Sequence, residues 1–335
     1  MSGFWGAAAM QNGKLGLLGD VGATNARFAL LRPNGSMTAP RSCSVADFVS
    51  LVDAIEAYLA KEGGVRPSHG ALAVAAPIVG DTISMINHPW SFSIAALRER
   101  LGLEGLSVLN DFVANALAIP HLAAGDVAKI GGGEPAPGAS IGVLGPGSGL
   151  GVSGLVRSEG REAAVEGEGG HVTLAPANDR ESAVLERLRA RFGHVSAERA
   201  LSGPGLVNLH QALCELSGEA TPPLTPAEIT DSRRIEADPR ARETVTMFCA
   251  MLGTVAGNLA LTLGARGGVY IAGGIAPKLG TALFGPPFRE RFEEKGRLHG
   301  YLAATPTYLI LLPTPALIGM AAKLQRDFGW RAGAQ

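Results

Sequence analysis

The pair Asn110-Asp111 stands where a side chain could do chemistry on a ligand. It follows the apolar segment Leu106–Leu109, which has the composition of a strand, and precedes the helix-like apolar segment Phe112–Leu122. The carboxyl ends of strands are where α/β proteins usually gather ligands. An aspartate there can accept a proton from an attacking hydroxyl, but aspartate is also a favoured helix N-cap residue. The spacing alone leaves both roles open for Asp111.

A second carboxylate, Asp20, ends the apolar run Lys14–Gly19 and opens a turn-rich segment. A carboxylate in this position can hold Mg²⁺ directly or through water, next to a bound phosphate. It can also simply form an Asx turn. Thr24 and Asn25 add side-chain donors for phosphate oxygens.

A third set of polar residues lies in a glycine-rich segment that contains Glu168-x-x-His171. On a helix this spacing would place both side chains on one face and suggest a metal site. Gly169 and Gly170 make a helix improbable, and the motif has no second copy. The segment better suits polar recognition of a hydroxylated ligand. Glu198 could supply another acceptor, although its spacing alone favours a solvated helix residue.

Glycine-rich turns occur twice between segments of strand-like composition. The first is Asp20–Asn25, before Ala26–Leu31; the second is Gly145–Gly151, between Ser140–Leu144 and Val152–Val156. Each pattern predicts a strand, a tight turn and a returning strand. Two such turns could grip a phosphate chain from both sides, because glycine lets backbone N–H groups approach closely. The pair predicts a duplicated architecture with one hairpin in each half.

Two common nucleotide-binding motifs do not fit the sequence. No GxxxxGK[ST] segment is present, which argues against a P-loop kinase. The turn Gly145–Gly151 contains a GxG spacing, but it leads into a second strand and not into the helix of a dinucleotide-binding βαβ unit.

The elements that must position these residues alternate between strand and helix. This alternation predicts an α/β protein with mixed sheets. The further segments are a strand at Leu72–Val79, a helix at Ile94–Leu101, a helix at Glu181–Phe192 ending at Gly193, a polar surface excursion at Pro222–Pro239, a strand at Val269–Ala272 leading into Gly273-Gly274, and a helix at Pro315–Asp327.

The composition limits the class of protein. The chain has 335 residues, enough for two domains, with 46% hydrophobic residues and a net charge of -1. This balance favours neither a nucleic-acid nor an anionic-membrane partner. Cys43, Cys214 and Cys249 are widely spaced and odd in number, which predicts reduced, buried, intracellular thiols. Met1–Gly13 lacks the basic start of a secretion signal, and we expect a poorly ordered extension.

One segment, Val245–Ala265, carries no charge and is long enough to cross a bilayer. Four polar residues lower its hydropathy: Thr246, Thr254, Asn258 and Thr262. A helix that is apolar all round is also what the centre of a large soluble domain requires. We therefore predict a buried helix and no membrane partner.

Several ordered motifs resemble those of a known superfamily. Gly19–Arg27 is similar to the first phosphate motif of the sugar-kinase/actin/heat-shock-70 superfamily, Gly145–Gly151 to the second, and Ile271–Gly274 to the adenosine motif. Within the superfamily, the chain resembles the bacterial glucokinase family. The motifs that carry this closer match are Ile86–Phe92, Leu109–Phe112, Gly167–His171 and His194–Asn208, and the resemblance spans Lys14 to about Arg326.

The resemblance implies an actin-like ATPase fold: two ribonuclease-H-like α/β domains with mixed sheets on either side of a central cleft. We expect a small domain over 14–121, joined by a C-terminal helix at 312–335, and a large domain over 122–311.

The resemblance also implies roles for individual residues. Asp111 matches the family's catalytic base, and four residues match its sugar contacts: Asn110, Glu168, His171 and Glu198. The ATP-binding residues that it implies are Gly19, Asp20, Val21, Gly22, Ala23, Thr24, Asn25, Gly147, Ser148, Gly149, Gly273 and Gly274. ATP with Mg²⁺ is the family's donor, which makes Asp20 the expected metal residue. The family commonly forms homodimers, and we expect a cytoplasmic protein.

The sequence departs from the family pattern at two positions. Ala23 stands where the family usually has glycine, so its methyl group could crowd the phosphates or demand a negative φ. Ser148 replaces a threonine and keeps the hydroxyl. The Cys-rich zinc motif of the related repressor/open-reading-frame/kinase family is absent from the sequence, as is a preceding helix-turn-helix region, which favours the glucokinase family.

We therefore predict ATP-dependent phosphorylation of D-glucose at its 6-hydroxyl. The alternatives are a kinase for mannose, fructose or several hexoses, a polyphosphate donor in place of ATP, or a sugar and nucleotide sensor without turnover. An intact Asp111 argues against the sensor, because a pure sensor needs no base. A filament-forming actin relative is disfavoured by the glycine-rich loop carrying Glu168 and His171.

Overall fold

The structure is a computed structural model that describes residues 14–85, 88–219 and 224–329, except for the side chain of Thr281. The predicted extension Met1–Gly13 lies outside the described residues, as do Ile86 and Asn87 of one family motif, Pro222 and Pro223 of the predicted surface excursion, and 330–335 of the predicted C-terminal helix.

Strands and helices alternate along the described chain. The strands are β1 (Gly16–Val21), β2 (Asn25–Leu31), β3 (Arg41–Ser44), β4 (His69–Val74), β5 (Thr82–Ser84), β6 (Ser91–Ser93), β7 (Gly105–Asn110), β8 (Val127–Gly131), β9 (Ile141–Pro146), β10 (Leu150–Ser158), β11 (Arg161–Ala164), β12 (Val269–Ile271) and β13 (Thr307–Ile310). The helices are α1 (Leu51–Lys61), α2 (Ile94–Arg100), α3 (Asp111–Ala118), α4 (Asp179–Phe192), α5 (Ala197–Ala200), α6 (Gly203–Leu216), α7 (Pro226–Ile229), α8 (Ser232–Ala237), α9 (Pro239–Leu263), α10 (Thr281–Phe284), α11 (Pro286–Glu293), α12 (His299–Ala304) and α13 (Pro315–Phe328).

The chain folds into two compact units. The first comprises the described residues within Met1–Leu122 and Thr314–Gln335, and the second comprises those within Ala123–Pro313. The helix α13 therefore packs with the N-terminal unit, although most of the sequence separates them.

The first unit is built on a mixed five-stranded sheet in the order β3-β2-β1-β4-β7. The strands β1 and β2 are antiparallel, whereas β1, β4 and β7 run parallel. Alternate residues of β1, such as Leu17 and Val21, join one buried core with Ile55 of α1. The helices α3 and α13 pack closely against each other, since a Cβ on Gly319 would overlap the carbonyl oxygen of Ala114.

The second unit is built on a mixed six-stranded sheet in the order β11-β10-β9-β12-β13-β8. Its three central strands β9, β12 and β13 are parallel, and β10 returns antiparallel to β9. The core joins this sheet to α4, α6, α9 and α11, through residues such as Leu144, Leu209, Phe248 and Phe288. In each unit a glycine-rich turn thus joins two antiparallel strands, β1 and β2 or β9 and β10, beside parallel strands.

The apolar helix α9 contains the segment long enough to cross a membrane. It is the one such helix in the described part of the chain, and 72% of its most apolar window is buried inside the protein. Asp238 caps its start by accepting from the backbone N–H groups of Arg240 and Ala241, and Gly264 ends it with a φ of 60°. Gly253 lets α11 approach, because a Cβ there would overlap the Phe288 carbonyl oxygen.

Several predicted element boundaries were wrong. The strand predicted at Leu72–Val79 starts at His69 and ends at Val74, before Pro77 and Gly80, which has a φ of 78°. The helix predicted to reach Leu122 ends at Ala118 and continues as a short 3₁₀ turn.

The segment predicted as a polar excursion forms the short helices α7 and α8 before α9 begins. Local capping explains this result. Thr225 and Glu228 form a reciprocal capping box, and Asp231 accepts from the backbone N–H of Arg234.

Candidate active site

Three predicted site residues of the first unit, Asp20, Asn110 and Asp111, lie at one edge of its sheet. Val21, Val74 and Asn110 are in register at the carboxyl ends of the parallel strands β1, β4 and β7. Asp20 therefore lies at the same edge as Asn110-Asp111, with β4 between them. Two strand spacings amount to roughly 10 Å. This is the edge at which α/β proteins usually bind ligands.

The two roles left open for Asp111 are separated by the geometry at the start of α3. Asn110 is the N-cap, and its Oδ1 accepts from the backbone N–H groups of Phe112 at 2.8 Å and Val113 at 3.4 Å. Asp111 is the first residue of the helix, and its Oδ1 lies 3.0 Å from the Phe112 nitrogen. The capping interpretation therefore belongs to Asn110. Its Nδ2 also donates to the Ala76 carbonyl oxygen at 3.4 Å, so the amide is fixed in place.

Asp20 is mostly buried and is paired across the hairpin. Its Oδ2 lies 3.2 Å from Arg27 Nη1, and the two residues are directly opposite each other in β1 and β2. Burial raises the pKa of the Asp20 carboxyl above its ordinary value, and the Arg27 guanidinium opposes that rise. The sequence pattern places Arg27 in a family motif but does not indicate that it pairs with Asp20. The hairpin register is the signal that could have identified the pair.

The first glycine-rich turn leaves polar groups exposed between β1 and β2. Gly22 donates from its backbone nitrogen to the Asn25 carbonyl oxygen at 3.0 Å, and the Thr24 and Asn25 side chains are exposed. Among the described non-glycine residues, positive φ occurs at Glu159, so Ala23 has an ordinary negative φ. The backbone at position 23 thus accepts a side chain without strain.

In the second unit, two predicted nucleotide motifs meet backbone to backbone. The strand β9 extends through Pro146, so the second turn is shorter than predicted and comprises Gly147, Ser148 and Gly149. A Cβ on Gly145 would lie 2.5 Å from the Ala272 carbonyl oxygen, and a Cβ on Gly273 would overlap the Pro146 carbonyl oxygen. Gly273 also has a φ of 85°. Glycine is therefore required where the second turn and the Gly273-Gly274 segment adjoin.

The segment carrying Glu168 and His171 rests on β10. Gly169–His171 forms a 3₁₀ turn, closed by a bond of 3.0 Å from the His171 nitrogen to the Glu168 carbonyl oxygen. A Cβ on Gly170 would overlap the carbonyl oxygen of Leu150. The backbone thus approaches β10 as closely as glycine allows, and the Glu168 and His171 side chains remain exposed.

Glu198 is held beside the second turn and is not the fully solvated helix residue that its spacing also fitted. Its Oε2 accepts from the Leu150 backbone N–H at 2.9 Å. Two backbone hydrogen bonds join the chain at α5 to the segment that follows His171. Ala197 N donates to Val172 O at 2.9 Å, and Leu174 N donates to Val195 O at 3.0 Å. Around the start of β10 the second unit therefore gathers three predicted sugar contacts: Glu168, His171 and Glu198.

The fold defines the class of protein. A solved glucokinase from an Antarctic psychrotroph matches with a TM-score of 0.85 at 34% identity, covering 94% of this chain and 100% of that one. A glucokinase from Balamuthia mandrillaris, solved in complex with glucose, matches in fold with a TM-score of 0.80 at 20% identity, covering 94% of each chain. The two α/β units therefore have the actin-like ATPase fold of sugar kinases.

The sequence comparisons define the family within that class. The family described as Glucokinase matches residues 17–327. Glucokinases from Chromobacterium violaceum and Paramagnetospirillum magneticum are each 52% identical to this chain, covering 92% and 91% of it and 88% and 96% of their own lengths. The chain belongs to the glucokinase family. This confirms the predicted resemblance, the predicted fold class and the prediction of an enzyme that phosphorylates glucose.

Proposed function

We propose that this chain transfers the γ-phosphoryl group of ATP to the 6-hydroxyl of D-glucose, giving glucose 6-phosphate and ADP. Phosphorylation of glucose follows from the family. The observation that best supports the residue assignments is the sheet edge that carries Asp20, Asn110 and Asp111 together.

Asp111 is the proposed base. Asn110 is the N-cap of α3, and Asp111 follows it as the first residue of the helix. This position beside the helix N-terminus suits a negatively charged group. The carboxylate orients the sugar hydroxyl and accepts its proton as the phosphoryl group is transferred. In such reactions the protein contributes mainly by positioning and by stabilising charge.

The other polar residues are proposed to bind the sugar. Glu168, His171 and Glu198 offer carboxylate and imidazole groups to its hydroxyls, and Asn110 has amide hydrogen-bonding capacity beyond its capping bonds. A site that pairs with each hydroxyl rejects sugars that leave buried polar groups unpaired. These four residues would therefore set the preference for glucose over other hexoses.

The glycine-rich turns are proposed to bind the nucleotide. In the first unit the phosphate-binding residues are Gly19, Asp20, Val21, Gly22, Ala23, Thr24 and Asn25, and in the second unit they are Gly147, Ser148 and Gly149. Gly273 and Gly274 would line the adenosine site. Exposed hydroxyls on Thr24 and Ser148 and closely approachable backbone N–H groups suit phosphate oxygens.

The donor set fits Mg²⁺ that arrives with ATP. In the described residues no cluster of three or more His, Cys, Asp or Glu side chains could hold a metal ion by itself. Mg²⁺ is commonly held by one or two carboxylates together with phosphates and water. Asp20 is the residue proposed to hold it, and the Arg27 guanidinium beside it opposes the rise in the pKa of that carboxyl. The metal would supply neutralisation of phosphate charge.

We further propose that the protein acts in the cytoplasm, in glycolysis, as a homodimer. The three cysteines are free thiols, which suits a reducing compartment. Sedimentation equilibrium would test the dimer, for which a single species of monomer mass would be the contrary result.

The direct test of the activity is a coupled assay of ADP release with ATP, Mg²⁺ and a panel of glucose, mannose, fructose and N-acetylglucosamine. We expect glucose to give the highest kcat/KM. Equal turnover of several hexoses would support a broad hexose kinase. Saturable sugar binding without turnover would instead support the sensor alternative.

A further inference from the structure

The carboxylate of Glu198 touches the second glycine-rich turn directly. Its Oε2 accepts from Leu150 N, the first backbone amide after Gly149, at 2.9 Å. The residue itself is held by its neighbours, because the Ser202 hydroxyl donates to the Glu198 carbonyl oxygen at 2.8 Å. A hydrogen bond to an ionised acceptor is stronger than one between neutral groups. The side chain thus fixes one end of the turn.

The other end of the turn is fixed by the same stretch of chain. Gly203 N donates to the Gly147 carbonyl oxygen at 2.8 Å. Ser202 is the N-cap of α6 and accepts from Gly205 N at 3.0 Å, so the donor Gly203 lies in a well-defined helix start. Residues 197–203 therefore hold the turn at both of its ends.

Space at the turn is matched to the Glu198 carboxylate. A Cβ added at Gly149 would overlap Glu198 Oε2 and lie 3.2 Å from its Cδ. Glycine at position 149 is thus what allows the carboxylate to reach the Leu150 amide. A methyl group there would push the carboxylate away while leaving its chemistry intact.

We propose that Glu198 is a positioning residue for the phosphate turn as well as a sugar ligand, and that it couples the two substrates. This inference rests on the proposed function. Among the described residues Oε2 alone makes a hydrogen bond, which leaves Oε1 for a sugar hydroxyl. A sugar bound to Oε1 holds the carboxylate in the orientation in which Oε2 keeps the turn in place for ATP.

The coupling has an expected size. Immobilising one side chain changes binding by about 2- to 12-fold, and coupling between two ligands is reciprocal. Glucose should therefore tighten binding of the ATP analogue AMPPNP, with Mg²⁺, by about that factor. AMPPNP should tighten glucose binding by the same factor. Both couplings should disappear in Glu198→Ala.

A double-mutant cycle tests the contact without relying on the loss of Glu198 alone. Gly149→Ala should weaken AMPPNP binding by about 10- to 100-fold, because Leu150 N loses a charged acceptor. In the Glu198→Ala background the methyl group at position 149 meets no carboxylate. Gly149→Ala should then weaken AMPPNP binding by less than about a further threefold. Glu198→Gln keeps an oxygen that can accept from Leu150 N. It should retain most of the AMPPNP affinity while raising KM for glucose.

Binding is measured by titration calorimetry, with thermal unfolding of every variant and Gly125→Ala as the control. Gly125 is exposed, and a Cβ there meets nothing within 4 Å. The dissociation constants of Gly125→Ala for AMPPNP and glucose should therefore match those of the wild type. Independent, additive effects of Gly149→Ala and Glu198→Ala would overturn the positioning role. If Gly149→Ala does not fold, equal AMPPNP affinity of Glu198→Ala and Glu198→Gln overturns it instead. If the wild-type protein phosphorylates none of the sugars, the proposed function is refuted. If the wild type is active but the effects of Gly149→Ala and Glu198→Ala are additive, only this inference is refuted.

Discussion

Gly170 lies so close to β10 that a side chain at this position must displace the loop. A Cβ on Gly170 would overlap the Leu150 carbonyl oxygen and lie 3.0 Å from the Leu150 carbonyl carbon. Real Cβ atoms stay beyond 3.0 Å from such backbone atoms, so in Gly170→Ala the loop must move by about 1 Å. The neighbours Glu168 and His171 would move with it.

A displacement of about 1 Å in a positioning group can cost on the order of 10²-fold in rate. We therefore expect Gly170→Ala to lower kcat/KM for glucose by about 10²-fold. The coupled ADP assay at saturating ATP measures this directly, and thermal unfolding shows whether the variant is folded.

Gly167 supplies the matched control in the same segment, because a Cβ there meets nothing within 4 Å. Gly167→Ala should lower kcat/KM by less than about tenfold, through altered loop entropy alone. Equal effects of the two substitutions would refute the steric reasoning. So would a folded Gly170→Ala variant whose kcat/KM is within twofold of the wild type.

Three further perturbations address other parts of the structure. Removing the guanidinium in Arg27→Ala should raise the pKa of the buried Asp20 carboxyl further, so the acidic limb of a pH profile of kcat/KM for ATP should move to higher pH. An acidic limb at the same pH as in the wild type would argue against ionised Asp20 as the metal residue. Ala23→Gly should change KM for ATP by less than about threefold, because Ala23 already has negative φ, and a larger gain in affinity would show that the methyl group crowds the phosphates. Gly253→Ala places a Cβ against the Phe288 carbonyl oxygen and should lower the free energy of unfolding by about 1–3 kcal/mol in a urea titration. In the control Gly300→Ala the Cβ has open space around it, and the loss should be less than about 0.5 kcal/mol.

The positions of Asp20 and Asp111 could be predicted because they depend on local pattern. Apolar strands followed by Asp20 and by Asn110-Asp111 place both carboxylates at strand ends, and parallel strands bring those ends to one edge. The assignment of the helix cap to Asn110 could not be made in this way. Adjacent Asn and Asp are almost equally good caps, and only the backbone bonds to Asn110 Oδ1 distinguish them.

The contacts that join distant segments were not predictable from the sequence. Glu198 and Leu150 are 48 residues apart, and nothing in the spacing of Glu198 indicates that its carboxylate reaches that amide. The close approach of Gly145 to Ala272 likewise depends on strand order, since β9 and β12 are neighbours although most of the second unit separates them in sequence. Tertiary packing decides such contacts, whereas composition and periodicity report only local structure.

Asp111 is proposed to accept the proton of the sugar hydroxyl that receives the phosphoryl group. The most direct test is the kcat of Asp111→Asn with glucose, ATP and Mg²⁺, measured alongside glucose binding by calorimetry. We expect a fall in kcat of about 10²–10⁴-fold with little change in glucose affinity. A variant that binds glucose and keeps a kcat close to that of the wild type would contradict it.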